Sequence, residues 1–241
     1  MKAYKSLIRR VGYYALRPQP PHYPSPFRNP VLIVGSAPVS NLPEGHQSNY
    51  HLLTINGSQS VSTGWGLADP DVTFLQYRQV YGTNDNAVAV RKALKDQSTG
   101  HLYVMRWTQS RKELEDGLAA FNYSYRHLHI VNRLQRMALF KRIMGYLNTE
   151  DDLETRFSNG VTAVLYALAS GARAVIITGI NPASQGHIYN NLNLGRQHSQ
   201  TDHDVLVALL RAGHPVYTAD PDVAQSTGLP LWKADNWTLG S

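Results

Sequence analysis

The residues best equipped for chemistry in this chain stand just after runs of apolar residues. His198 leads into Ser199-Gln200-Thr201-Asp202, so an imidazole stands in the loop before a helix start that carries two acids, Asp202 and Asp204. An imidazole exchanges its proton near neutral pH, and a nearby carboxylate orients it and steadies its cation, which suits a general base. The plain alternative is a surface histidine of no consequence, one among ten. Arg156-Phe157-Ser158-Asn159-Gly160 opens a strong helical pattern. Hydroxyl, amide and backbone N–H donors at a helix start, behind an arginine, suit a phosphate. Gly35-Ser36-Ala37-Pro38 follows one apolar run, Asn56 follows a second, and Asn181 to Tyr189 follow a third. Each by itself reads as a polar turn. Gly-Ser-Ala-Pro lacks both the dinucleotide-binding glycine fingerprint and the Lys-Ser/Thr pair of a P-loop.

Metal readings compete with these. Asp69-Pro70-Asp71 and Asp220-Pro221-Asp222 have the Asp-x-Asp form that holds a divalent ion, and carboxylates suit hard cations. A proline between two acids also marks a rigid turn entering a strand. His198, Asp202, His203 and Asp204 would supply a zinc or iron set, but positions 202 to 204 point in different directions around a helix. No metal is expected. No Gly-x-Ser-x-Gly elbow of a serine hydrolase is present.

The elements that must position these groups are legible from patterning. Apolar runs at 31–34, 51–56, 72–77, 101–107, 174–179 and 216–218 read as strands, and the stretches between them are long enough for crossovers. That pattern predicts an α/β fold, a mostly parallel Rossmann-like sheet with helices on both faces. In such sheets ligands lie beyond the carboxyl ends of the strands, which is where the polar turns fall. A helix is predicted from Ser158 to Ser170, with Ser158 as N-cap, Val161, Val164, Leu165 and Leu168 inward, and Gly171 ending it. A second is predicted from near Thr201, with Val205, Leu206, Leu209 and Leu210 inward and Gly213 closing it. Residues 108–150 read as a lid or subdomain. Within it the basic amphipathic stretch 132–147 is either a solvated face or a substrate-binding one. Ala-Asp-Pro-Asp-Val occurs at 68–72 and again at 219–223, which reads as coincidence.

Composition narrows the classes. The 241 residues include 42% hydrophobic types and no cysteine, which excludes global disorder, a disulfide framework and thiolate chemistry, and fits a cytoplasmic protein. No apolar run approaches the ~20 residues of a membrane helix. Residues 1–30 hold Lys2, Lys5, Arg9, Arg10, Arg17 and Arg28 and no acid, leaving 17 basic and 17 acidic residues elsewhere. A neutral body argues against a nucleic-acid partner, since such proteins carry basic stripes on the folded domain. In residues 1–16 Tyr4, Leu7, Ile8, Val11, Tyr14 and Ala15 recur at helical spacing with basic residues between them, as in a helix lying on an anionic membrane surface. Six prolines between 18 and 30 then read as a stiff spacer, so the domain is expected to begin near Pro30. A tail that is solvated or docked on the core is the alternative.

Taken together, Val31-Leu32-Ile33-Val34-Gly35-Ser36-Ala37-Pro38, Asn56, Arg156-Phe157-Ser158-Asn159-Gly160, Ile176 to Asn181, Tyr189, and His198-Ser199 leading to Thr201-Asp202 resemble, in order and spacing, the bacterial sialyltransferases of glycosyltransferase family 42, the Campylobacter lipooligosaccharide type. The resemblance spans roughly residues 31 to 225. It implies a variant GT-A nucleotide-sugar-binding domain over 31–241 with a lid at about 108–150, and metal-independent, inverting transfer of a 2-keto sugar acid, sialic acid or Kdo, from its CMP ester. No cofactor beyond that donor is implied. The acceptor would be a bacterial surface glycan or glycolipid of lipopolysaccharide type, reached peripherally at the inner membrane through residues 1–16. A homo-oligomer stays open. By the same resemblance Gly35, Ser36 and Asn56 contact the nucleotide, and Gln76 lies near the donor sugar. Arg156, Ser158, Asn159 and Gly160 form the cytidine and phosphate pocket beside Asn181, Tyr189 donates to the leaving phosphate, and His198 deprotonates the acceptor. Three departures are visible: Ala183 stands where the family has a second phosphate-binding tyrosine, with His187 or a lid tyrosine as its substitute; Asn181 replaces an acid; and the loop from His198 to Asp202 is one residue shorter. Two alternatives remain, a pterin-pyrophosphokinase-like phosphoryl transferase needing magnesium at Asp69 or Asp71, and a non-catalytic nucleotide-binding module.

Overall fold

A computed structural model describes residues 2–152, 154–189 and 198–237. Continuous apolar runs bury on both faces when a sheet is parallel and sandwiched, and β1 (Val31–Val34) and β6 (Val175–Thr178) are buried along their whole length. With β2 (His51–Ile55), β3 (Val72–Gln76), β4 (Ser98–Met105), β5 (Ser124–Val131) and β7 (Val216–Thr218) they form a seven-stranded sheet of order β5-β4-β3-β2-β1-β6-β7. Every pairing is parallel, with Val31 in register with His51 on one side and Val175 on the other. The chain walks from β1 outward to β5, then returns to lay β6 on the free side of β1. The order therefore reverses at β1 and β6, the place where an open α/β sheet leaves a crevice at its carboxyl edge.

Among the described residues the first helix precedes the sheet, the last follows it, and the others lie in the crossovers. In chain order the helices are α1 (Lys2–Leu16), α2 (Gln59–Gly64), α3 (Arg78–Tyr81), α4 (Asp85–Leu94), α5 (Arg111–Ala119), α6 (Arg133–Met144), α7 (Asn159–Ala169), α8 (Ser199–Arg211) and α9 (Pro221–Thr227). Ser158 caps α7 by accepting from the Val161 N–H at 3.2 Å, and Val161, Val164 and Leu165 bury against β1, β3 and β6. Helix α8 starts at Ser199, two residues before the expected start, so His198 occupies its N-cap position instead of the loop ahead of it. Strand β5 carries no clear sequence signal: Ser-Tyr-Arg-His-Leu-His-Ile-Val interleaves cations and rings with Leu128, Ile130 and Val131, as suits an edge strand only partly covered. Residues 108–150 hold α5, β5 and α6, continuous with the sheet.

Beyond the strand ends the backbone turns sharply. Asn56 after β2, Arg106 after β4 and Gly179 after β6 all have positive φ, at 50°, 60° and 63°. This left-handed turn ends each strand one residue or more before its apolar run stops. Asparagine and glycine tolerate it; an arginine there is strained, which draws attention to its surroundings.

Residues 22–30 lie along the domain over a row of rings. Phe27 is buried in the main core and stacks on Tyr23 at 4.6 Å, and Tyr23 meets His101 edge-on at 5.1 Å. Tyr103 donates to the His22 carbonyl at 3.0 Å. His101 shares a 3.1 Å hydrogen bond with His129 and stacks on His127. Burial, and then His127 and His129, push His101 down to about 4 against the pull of Asp71; burial lowers His129 too, with His127 and Arg111 adding to it. Because the folded state favours neutral imidazoles, their contribution to stability is complete above the unfolded value near 6.5 and is lost as pH falls toward 4. The thermal midpoint is expected to drop over that interval more steeply for the wild type than for His101→Phe. Parallel curves would show that the histidine row is not responsible.

Candidate functional site

The corner at the strand reversal is built first from backbone. The Gly35 N–H donates to the Thr178 carbonyl at 2.7 Å and the Ala37 N–H to the Gly179 carbonyl at 2.8 Å, so the turns after β1 and β6 lie against each other. A methyl group on Gly35 would sit 2.3 Å from the Gly179 carbonyl oxygen, backbone that cannot swing aside. Gly35→Ala is therefore expected to destabilise the fold by about 1–3 kcal/mol in urea unfolding; a value near zero would mean the two turns are free to separate. Asp220, buried at the start of α9, locks the same corner. Its carboxylate accepts from the Gly179 N–H at 2.6 Å, the Thr178 hydroxyl at 2.9 Å, and the Asn41 N–H and amide at 3.0 and 2.9 Å. Burial raises Asp220 above the usual carboxylate range, and those donors pull it back.

Into this corner come the side chains. Ser36 Oγ shares a 2.9 Å hydrogen bond with His187 Nδ1, and the Ser36 carbonyl accepts from the Ile188 N–H at 3.0 Å. The His187 ring stacks on Tyr189, centroids 5.1 Å apart and nearly parallel. Tyr189 in turn lies over the turn after β2, where a methyl on Gly57 would come 2.8 Å from its ring. Asn56 beside it uses its side-chain oxygen to accept from the Gln76 N–H at 2.9 Å, joining the ends of β2 and β3. Ala183 is exposed and carries no group of its own, whereas His187 stands between Ser36 and Tyr189. The Asn181 side chain is spent within its own turn, accepting from the Ala183 N–H at 2.9 Å.

The start of α7 forms the other wall. Gly160 packs against Ile180 of the β6 turn, leaving 3.2 Å to a methyl built at its Cα. The Ser158 N–H donates to Asp202 Oδ1 at 2.8 Å, and the Asp202 N–H donates to the His198 carbonyl at 2.8 Å. The buried Asp202 thus ties the start of α8, and His198 with it, to the start of α7. Of the postulated His/Asp metal set, Asp202 faces inward to Ser158 while His203 faces outward and contacts the Ser226 carbonyl at 3.0 Å. Asp69 and Asp71 are at the amino edge of the sheet, bonded to Ser98 and to the Leu52 N–H, at the opposite edge from the turns just described. Among the described residues no cluster of three His, Cys, Asp or Glu is placed to hold a metal.

Five arginines, Arg9, Arg106, Arg133, Arg136 and Arg156, converge on the head of α7 and residues 149–151, and of these only Arg156 is legible as a site residue in the sequence. Arg136, in the stretch read as either solvated or substrate-binding, is 3% exposed. It pairs with Glu150 at 2.9 Å, donates to the Phe157 carbonyl at 2.9 Å and the Asn159 side chain at 3.4 Å, and stacks its guanidinium over Phe157. Arg133 and Arg9 donate to the Glu150 carbonyl at 3.2 and 2.7 Å. Burial lowers Arg106, and Arg136 and Arg156 lower it further while Glu150 raises it. The Nε atoms of Arg106 and Arg156 are buried without a partner among the described residues. Five cationic groups crowded around two carboxylates, Glu150 and Asp151, favour an anion at the free guanidinium edges. The positive φ at Arg106 is a structural mark of the hub; its sequence carries none.

No family model matches this sequence, and no curated protein matches it. Solved structures do resemble the fold. One is the monofunctional alpha-2,3-sialyltransferase Cst-I from Campylobacter jejuni, 15% identical, covering 84% of this chain and 80% of that one with a TM-score of 0.54. Another is the sialyltransferase CstII in complex with a trisaccharide acceptor and CMP, 14% identical over 87% of this chain and 89% of that one, TM-score 0.56. CstII from Campylobacter jejuni with the substrate analogue CMP-3FNeuAc is 15% identical over 84% and 86%, TM-score 0.55. The likeness runs over most of both chains and is one of fold: a Rossmann-like, GT-A-type variant with all strands parallel.

Proposed function

We propose that this chain is a glycosyltransferase that moves a 2-keto sugar acid, of sialic acid or Kdo type, from its CMP ester to a hydroxyl of a bacterial surface glycan. The observation that carries the reading is the meeting of Ser36, His187, Tyr189 and the Asn56–Gly57 turn at the strand reversal, where Gly160 at the start of α7 packs on Ile180 of the β6 turn. Solved structures of the same fold hold CMP and CMP-3FNeuAc.

In this reading Ser36, Asn56 and the α7 start hold the nucleotide, and Arg156 meets its negative charge. His198 takes the proton of the acceptor hydroxyl, and the oxygen attacks the anomeric carbon from the face opposite the phosphate. The carbon–phosphate oxygen bond breaks and CMP departs. A phosphate monoester is already a good leaving group, so hydroxyl and imidazole donors suffice to stabilise its growing charge and no metal is required. Tyr189 supplies one such donor, and His187 takes the place of the family's second tyrosine. The acceptor is a glycolipid at the cytoplasmic face of the inner membrane, reached by peripheral attachment.

The test is direct. CMP at a hundredfold excess over its Kd should add about 2.7 kcal/mol to the unfolding free energy, read as a rise in thermal midpoint, with no comparable effect of AMP. CMP-sialic acid or CMP-Kdo should be turned over with a chelator present. Stabilisation without turnover of either donor would leave a silent nucleotide-binding module, and no stabilisation by CMP would overturn the proposal. Magnesium-dependent phosphoryl transfer at Asp69 and Asp71 has no supporting geometry, because those acids are across the sheet from the crevice.

A further inference from the structure

Amphipathic helices ordinarily turn their apolar stripe toward the protein. In α1 the arrangement is reversed. Ser6 and Arg9 face the domain: Ser6 Oγ is 3.3 Å from Thr149 Oγ1, and Arg9 bonds the Thr149 carbonyl at 2.8 Å, the Glu150 carbonyl at 2.7 Å and the Asp151 carboxylate at 3.1 Å. On the opposite side Tyr4, Leu7, Ile8 and Val11 form one continuous stripe, and Leu7 and Val11 are 59% and 60% exposed. Lys5 and Arg10 flank the stripe, one on each border, both exposed. Helix α1 contains no acid, and neither does any part of residues 1–30. Lys141 of α6 lies over the rings of Tyr13 and Tyr14 at 5.3 and 5.2 Å, adding a further cation beside the helix.

From this we infer that the outward face of α1 docks in the interface of an anionic lipid bilayer, and that it does so as a rigid part of the domain. The occupant follows from chemistry. An apolar stripe bordered by cations and free of acids matches an acyl layer beneath negatively charged headgroups. Among the described residues no helix is long and apolar enough to cross a membrane, so the contact is one of lying on the surface. The grip of Arg9 on residues 149–151 leads through Glu150 to Arg136, and from there to Phe157 and Asn159. The docked helix therefore fixes how the crevice is presented to the bilayer. This inference is independent of the sugar-transfer reading, because its readout is lipid binding.

The experiment is sedimentation of the full chain with vesicles. Wild type should partition to phosphatidylcholine vesicles containing phosphatidylglycerol, and weakly or not at all to phosphatidylcholine alone. Leu7→Gln with Val11→Gln should reduce partitioning by about tenfold or more, and Lys5→Ser with Arg10→Ser by about fivefold per cation at low salt. Since these side chains are exposed, the thermal midpoints should match wild type, separating loss of docking from loss of folding. Equal sedimentation of wild type and the Leu7→Gln, Val11→Gln chain would overturn the inference. So would a dimer in analytical ultracentrifugation that those two changes dissociate while vesicle binding is absent, which would make a second copy the partner.

Discussion

His198→Ala is expected to slow sugar transfer by about 10²–10⁴-fold, the usual contribution of a positioned general base, while CMP raises the thermal midpoint of the variant as it does that of the wild type. The split between the two readouts is the informative part. His198 stands at the N-cap of α8, held by its carbonyl to the Asp202 N–H, and Asp202 is anchored to the Ser158 N–H. Removing the imidazole leaves those backbone bonds in place, so the wall at Ser158 and Asn159 keeps its shape. A variant that transfers sugar at the wild-type rate would take His198 out of the mechanism. One that also loses its response to CMP would make it a structural residue of the wall at Ser158 and Asn159.

The second large effect is on stability. Arg136→Ala or Glu150→Ala should each cost about 3–5 kcal/mol in urea or thermal unfolding, because each leaves the other's charge buried and unpaired. The pair is nearly sealed, with side chains 3% and 1% exposed at an N···O distance of 2.9 Å. Arg136→Met combined with Glu150→Leu should recover much of that loss, since an apolar pair of similar volume removes both charges together. It should not recover function. The Arg136 guanidinium also holds the Phe157 carbonyl and the Asn159 side chain at the head of α7, so the double variant should fold yet bind CMP more weakly. Single variants within 1 kcal/mol of wild type would show that water or neighbouring groups solvate the remaining charge.

Much of the fold can be read from local pattern. β1 and β6 are visible because a strand buried on both faces needs an unbroken apolar run, and Val-Leu-Ile-Val and Val-Ile-Ile-Thr provide one. α7 is visible because Ser158, an apolar stripe and Gly171 mark its start, side and end. β5 is not, because an edge strand needs only partial cover and its histidines and arginine break the alternation that would announce it. α1 is legible as a helix, but its pattern says nothing about which side meets the protein, and the usual assumption is reversed by the bonds of Ser6 and Arg9. Arg136 illustrates the same limit. Its spacing fits a solvated face as well as a buried one, and only the arrival of Glu150 from fourteen residues away makes burial tolerable.

What the sequence alone determined is the set of short-range choices: parallel strands with polar turns at their ends, one well-capped helix and the apolar stripe of a second, a basic acid-free first segment, and which residues stand in those turns. These follow from periodicity and capping, which act within about a turn or a strand length. What the tertiary structure decided is which turns meet. Ser36 reaches His187 across 151 residues and Tyr103 holds the His22 carbonyl across 81. Those meetings depend on the strand order reversing at β1 and β6, a consequence of how the whole chain packs its apolar faces and not of any local run of residues.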